Sequence, residues 1–184
     1  MKCYTVIGGV NGAGKSSFTG SLKAQSTELG TVIDVDKITA ECSGNAVEGA
    51  RRAIKKIDEC LDNGYSFTQE TTLSGNKTVL TCRAAKEKGY FIRLYYIGLD
   101  TADESIKRIK NRVEKGGHNI PTDTVMQRFA SRFEMLKKVL PYCNEAFFFD
   151  NGNGFKQVAE YRNGELTVTD PAAPEWIKEL KGSE

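Results

Sequence analysis

Gly9-Val10-Asn11-Gly12-Ala13-Gly14-Lys15-Ser16 matches the pattern G-x-x-x-x-G-K-[ST] at every position. Tyr4 to Gly8, just before it, reads as a short apolar strand, and Lys15 to about Ala24 reads as a helix. A glycine loop between a strand and a helix is the setting in which this pattern cradles phosphate. The glycines let the chain curl so that successive backbone N–H groups converge on phosphate oxygens. The start of the helix adds the positive end of its dipole. Lys15 supplies a mobile charge for the β- and γ-phosphates, and the Ser16 hydroxyl is a ligand for Mg²⁺. ATP with Mg²⁺ is therefore expected on Gly9, Asn11, Gly12, Ala13, Gly14, Lys15 and Ser16, with Ser17 beside the bound nucleotide.

Outward from this loop, strand and helix patterns alternate. Thr31 to Val35 is a β-branched strand, and Ala46 to Asp62 an amphipathic helix with Val47, Ala50, Ile54, Ile57 and Leu61 at three- and four-residue steps. Tyr65 to Gln69 is a third strand, and Ser74 can cap a helix that Gly89 ends. Tyr90 to Ile97 is a fourth strand. Thr101 and Glu104 have capping-box spacing for a helix to about Lys115, and a further helix spans about Asp123 to Leu140. Ala146 to Asp150 is a fifth strand. Phe155 to Thr169 reads as a hairpin turning at Asn163-Gly164, and Pro174 opens a short helix with Trp176, Ile177 and Leu180 on its apolar face. The expectation is an α/β fold, a P-loop NTPase with a nucleotide-kinase-like parallel five-stranded sheet. Residues 1–184 form one domain, with a core over 1–151, a helical lid over about 101–140 and a C-terminal hairpin and helix over 152–184.

Composition excludes several chemistries. The 184 residues contain a single histidine, His118, so no three-histidine zinc site can be built within the chain. Lysine plus arginine is 26 against 24 acids, a net charge of +2, which speaks against nucleic acid as a partner. No apolar run approaches the roughly 20 residues that span a bilayer. The five cysteines are widely spaced with no C-x-x-C, and Met1 to Ile7 does not read as a signal peptide. A cytoplasmic location with reduced thiols is the expectation.

Ligands on parallel sheets bind at the carboxyl ends of the strands. The second strand ends in Asp34-Val35-Asp36 and the third in Gln69-Glu70-Thr71-Thr72. Asp36 is the candidate catalytic base, accepting the proton of an attacking hydroxyl; the competing role is to cap the segment after it. Glu70 can orient the acceptor or hold a Mg²⁺-bound water, or be a loop carboxylate. Arg108 and Arg112 share one helix face, and Arg128 and Arg132 repeat that spacing on the next helix, with Gly116-Gly117 as a hinge between. Guanidinium groups so placed can offset charge on a transferring phosphoryl group; the other reading is solvated helix faces. His118 can touch substrate or phosphate, or cap the helix that follows.

Together, residues 9–16, Asp36, Glu-Thr-Thr-Leu-Ser at 70–74, Gly-Tyr-Phe-Ile-Arg-Leu-Tyr-Tyr-Ile-Gly-Leu at 89–99, Arg108, Arg112, Gly-Gly-His-Asn-Ile-Pro at 116–121, Arg128-Phe129 and Phe-Phe-Asp-Asn at 148–151 resemble the zeta-toxin-like P-loop kinases. The likeness is to the short bacterial members carrying a Gly-Gly-His motif, over about residues 4 to 151. It implies transfer of the ATP γ-phosphoryl group to a small-molecule hydroxyl, with UDP-N-acetylglucosamine or a related sugar nucleotide as acceptor. It assigns Lys15 and Ser16 to ATP-Mg²⁺, Asp36 to the base, and Glu70 with Thr71 to the acceptor. Lid arginines Arg112 and Arg128 serve catalysis, while Arg108, Arg132 and His118 stand near the substrate. Asn151 follows the fifth strand, where related kinases place a loop against adenine. A small helical antitoxin is the implied protein partner. The alternative is an ATP-binding regulatory or interaction module with little catalysis.

Overall fold

A computed structural model of the chain describes residues 1–117 and 119–182. Its strands are β1 (Cys3–Gly8), β2 (Thr31–Asp34), β3 (Phe67–Thr71), β4 (Phe91–Gly98), β5 (Glu145–Asp150), β6 (Lys156–Arg162) and β7 (Glu165–Val168). The helices are α1 (Lys15–Ala24), α2 (Val35–Glu41), α3 (Ala46–Asn63), α4 (Lys77–Glu87), α5 (Ala102–Glu114), α6 (Thr122–Ala130), α7 (Arg132–Val139) and α8 (Glu175–Gly182).

The strands form one sheet in the order β2-β3-β1-β4-β5-β6-β7. β1 to β5 run parallel, and β1 lies between β3 and β4. The chain thus steps to one side of β1 for β2 and β3, then to the other for β4 and β5. A crevice opens at the strand ends where that direction reverses.

The expected five-stranded sheet has seven strands. The C-terminal hairpin is not an appendage: β6 pairs antiparallel with β5, and β7 with β6. The outer edge of β5 otherwise leaves its backbone N–H and C=O groups unpaired, and the hairpin takes them up. Asn163 (φ +53°) and Gly164 (φ +86°) make the tight turn that their sequence favours.

Helices cover both faces. Ile92, Leu94 and Tyr96 of β4 pack with Ile57, Leu136, Val139 and Trp176 in one core. Ile7, Phe18, Leu22, Ile97 and Phe129 form the other. The α3 stripe buries Ala53, Ile57, Cys60 and Leu61; Asn45 caps its start and left-handed Gly64 ends it. Burial pushes the Cys82 thiol up to about 12, and all five cysteines are unbridged. Among the described residues, no helix is long and apolar enough to cross a membrane.

Two helix boundaries differ from expectation. α4 begins at Lys77, because Ser74 Oγ hydrogen-bonds Thr72 Oγ1 at 2.9 Å instead of capping a helix. The helix expected over Asp123 to Leu140 divides at Ser131, whose hydroxyl donates back to the Gln127 carbonyl.

Candidate active site

The loop between β1 and α1 curls tightly at the carboxyl end of β1, an inner strand of the sheet. At Gly9 (φ +149°) a Cβ would lie 2.4 Å from the Ile97 carbonyl oxygen, and at Gly14 (φ +94°) 2.6 Å from Asn151 Nδ2. Only glycine fits such close approach at such dihedrals. Lys15 turns back to donate to the carbonyls of Gly9 at 3.0 Å and Val10 at 3.1 Å. Desolvation lowers its pKa to about 8, against the raising influence of Asp36, Glu70 and Asp34, while Arg112 adds to the lowering. This is a lysine whose charge a phosphate can hold and whose present partners are weak acceptors.

Glu70 lies beside the loop because β3 pairs in register with β1, Ile7 opposite Glu70 and Gly8 opposite Thr71. Its carboxylate is buried and accepts from Ser16 Oγ at 2.7 Å and Thr19 Oγ1 at 2.6 Å. A hydroxyl backed by a carboxylate is an oxygen donor set of the kind Mg²⁺ takes, with water and phosphate completing the shell. The site therefore fits the metal at Ser16, with Glu70 behind it. Among the described residues no group of three or more His, Cys, Asp or Glu could hold a metal alone.

Asp34 and Asp36 divide two tasks. Asp34 ends β2 and caps α2, accepting from Asp36 N at 2.9 Å and Lys37 N at 3.2 Å. The capping role weighed for Asp36 thus belongs to Asp34. Asp36 is exposed and lines the cleft.

The cleft has a volume of about 650 Å³. Its floor is Asn11, Gly12, Gly14, Lys15, Ser16 and Ser17. Ala50, Ala53, Ile54 and Ile57 of α3 add an apolar lining, and Gln69, Glu70, Thr71 and Thr72 a polar one. Lys77, Thr78, Arg108, Arg112 and Arg128 line the cleft as well. Thr71 Oγ1 accepts from Leu73 N at 3.1 Å, holding the turn after β3. Nothing in the sequence singles out Gln69, which lines the cleft and whose Oε1 accepts from Tyr4 OH at 2.5 Å. The same holds for Thr19 and for Ser105, whose buried hydroxyl donates to the Asn11 carbonyl of the phosphate loop. Thr19 is one helical turn from Ser16, but nothing in the spacing announces Glu70 as its partner.

The arginines separate. Arg128 Nη1 donates to Asn11 Oδ1 at 3.1 Å. Arg108 Nη2 donates to Glu104 Oε1 at 2.5 Å and to the Asn151 carbonyl. Arg112 faces the same cleft. Arg132, expected near the substrate, is not brought there. The break at Ser131 turns it inward, where it is buried, pairs with Glu179 and donates to the Phe129 carbonyl at 2.8 Å. Asn151, expected against the nucleotide, supports the loop from behind, with Nδ2 donating to the Ala13 carbonyl at 2.8 Å. His118 lies outside the described residues.

Comparison with known proteins adds three findings. Residues 2–144 match the family model described as Zeta toxin. Over 126 residues the chain is 33% identical to an uncharacterized protein of Haemophilus influenzae, taking in 66% of this chain and 88% of that one. Among solved structures, the complex of AvrRxo1-ORF1 and AvrRxo1-ORF2 with ATP superposes with a TM-score of 0.73 at 15% identity, covering 98% of this chain. A structure from the PezAT chromosomal toxin–antitoxin system of Streptococcus pneumoniae gives 0.66 at 16%, over the whole of this chain and 84% of that one. The chain spans 63% of the AvrRxo1-ORF1 complex chain it matches. At these identities the structures share a fold.

Proposed function

This chain belongs to the zeta toxin family, and from that premise we propose that it is an ATP-dependent kinase acting on a hydroxyl of a small molecule. The observation that carries the reading is the single cleft shared by the phosphate loop, Asp36 and three arginines, with room left beside α3. A module that only bound nucleotide would not need that second half.

In this reading Lys15 leaves the Gly9 and Val10 carbonyls and moves onto the γ-phosphate, which gives its charge a stronger partner. Mg²⁺ held at Ser16 would neutralise phosphate charge and orient the phosphoryl group. Glu70 holds the Ser16 hydroxyl in place. The acceptor lies against α3 with its hydroxyl toward Asp36. As that oxygen bonds to the γ-phosphorus, its proton passes to the Asp36 carboxylate and the bond to the ADP oxygen breaks. Arg112 and Arg128 offset charge on the moving phosphoryl group. A sugar nucleotide such as UDP-N-acetylglucosamine is the proposed acceptor, and in this reading Thr71 and Gln69, which line the cleft, hydrogen-bond it. The toxin–antitoxin context of the PezAT structure supports an antitoxin as partner, which the family resemblance makes small and helical.

The test is a screen for γ-phosphate transfer with mass detection, using sugar nucleotides and nucleosides with wild type and Asp36→Asn. The expected result is one acceptor gaining a phosphoryl mass with wild type alone. No acceptor-dependent ADP release across the panel would overturn the reading.

A further inference from the structure

The zeta toxin model ends at residue 144, and α8 lies beyond it. Two contacts from this helix nevertheless lead to the cleft. The Trp176 indole is buried and its Nε1 donates to Asp150 Oδ1 at 3.0 Å. The other Asp150 oxygen accepts from Gly152 N at 2.9 Å, so both oxygens fix the turn that contains Asn151. Asn151 in turn holds the Ala13 carbonyl of the phosphate loop and accepts from Arg108.

The second contact is the Glu179–Arg132 ion pair. The Arg132 guanidinium lies between Phe129 and Phe133, 4.2 and 4.3 Å from the ring centroids. Its Nη1 donates to the Phe129 carbonyl in the last turn of α6, beside the backbone N–H that this carbonyl also accepts at the helix end. Arg128, the residue before Phe129, reaches Asn11. Trp176, Ile177 and Leu180 already bury the apolar face of α8. A charge pair is not needed for that packing: Glu179 is half exposed, while the Arg132 it holds is buried. The geometry of the pair serves the end of α6.

We infer that α8 is a strut for the transfer site: Glu179, through Arg132, positions Arg128, and Trp176, through Asp150, positions Asn151. Glu179, Arg132 and Trp176 are positioning residues, and the inference rests on the kinase reading for the role of Arg128. An arginine that meets the γ-phosphate distinguishes ATP from ADP. Loosening it removes that distinction and leaves the rest of the nucleotide contacts in place.

The experiment compares full-length wild type, Glu179→Gln and Glu175→Gln. Dissociation constants for Mg-ATP and Mg-ADP are measured by calorimetry, and amide exchange is followed over residues 122–130. Glu175 is an exposed residue on the same helix and serves as control. In Glu179→Gln the preference for ATP over ADP should fall about five- to tenfold. ADP affinity should stay within about twofold and exchange in α6 should quicken while β1 and β4 are unchanged. Glu175→Gln should match wild type. The inference is overturned if Glu179→Gln keeps the wild-type preference, or if ATP and ADP weaken together with faster exchange throughout. If Glu179→Gln does not fold, Arg132→Lys keeps the charge but loses the fork that bridges Phe129 and Glu179. It should show the same selective loss, and wild-type behaviour in it overturns the inference. A wild type that binds nucleotide without preferring ATP removes the role of Arg128 and, with it, the inference. A wild type that binds neither nucleotide sinks the kinase reading itself.

Discussion

Ser16 Oγ donates to the Glu70 carboxylate at 2.7 Å, and Thr19 occupies the other carboxylate oxygen. A loop hydroxyl is thus tied to the strand beside it before any metal arrives. Glu70→Gln keeps the size but offers one acceptor oxygen where the carboxylate offers two. Because an outer group of this kind orients the ligand and adds negative charge, the Mg²⁺ needed for half-maximal nucleotide binding should rise about 10- to 100-fold. A Mg²⁺ titration at fixed ATP measures this, and an unchanged midpoint would detach Glu70 from the metal side.

Asp36 is placed differently. Since Asp34 does the capping, Asp36→Asn should leave α2 intact; loss of its charge in the first turn costs about 0.3–1 kcal/mol. Transfer should fall by about 10² to 10⁴, the range for a general base, with Mg-ATP affinity nearly unchanged. Asp34→Ala should do the reverse: about 1 kcal/mol of stability lost with the base still present. Thermal melts and single-turnover transfer separate the two. Near-wild-type transfer in Asp36→Asn would end its candidacy.

Lys15 gives a pH signature. Burial lowers its pKa to about 8, against the ordinary 10.5 of a solvated lysine. Between these two values the unfolded chain binds more protons at this position than the folded one, so the lysine term favours folding increasingly as pH rises through that window. Below about pH 8 both states are protonated and the burial cost stands in full. Bound phosphate stabilises the ammonium and raises its pKa, so Mg-ATP binding above pH 8 should take up a proton and weaken as pH rises. Calorimetry at pH 8.5 in buffers of different ionisation enthalpy reads this directly. No proton uptake there would mean that Lys15 does not meet the phosphate.

The chemistry of the phosphate loop was legible because it depends on local backbone geometry, which Gly9, Gly12 and Gly14 dictate by themselves. Asn163-Gly164 and the Thr101 cap were legible for the same reason. Pairings across the sheet were not. The hairpin's own turn can be read, but its docking on β5 depends on which edge is vacant. Arg128 and Arg132 look equivalent at four-residue spacing, and the break at Ser131 is what sends one to Asn11 and the other to Glu179. Asn151 is expected against the nucleotide from the resemblance to related kinases. Its side chain donates to the Ala13 carbonyl, a contact between residues 138 apart that no local pattern contains.

Gly98 closes β4 against the ring of Trp176, where a Cβ would fall 2.3 Å from the indole. This glycine is needed for space. Gly98→Ala must displace the indole, and overpacking of this kind costs about 1–3 kcal/mol. The displacement also strains the hydrogen bond from Trp176 to Asp150. Trp176 is the only tryptophan, so its emission reports the change without labelling. The variant should melt at lower temperature and emit further to the red, as water reaches an indole now buried at 1% exposure. Trp176→Phe in the wild-type background removes the donor without adding bulk, and should weaken the turn at Asp150 by about 1 kcal/mol. If Gly98→Ala melts and emits as wild type does, the indole is not seated on Gly98 in solution, and the route from α8 to Asp150 fails with it.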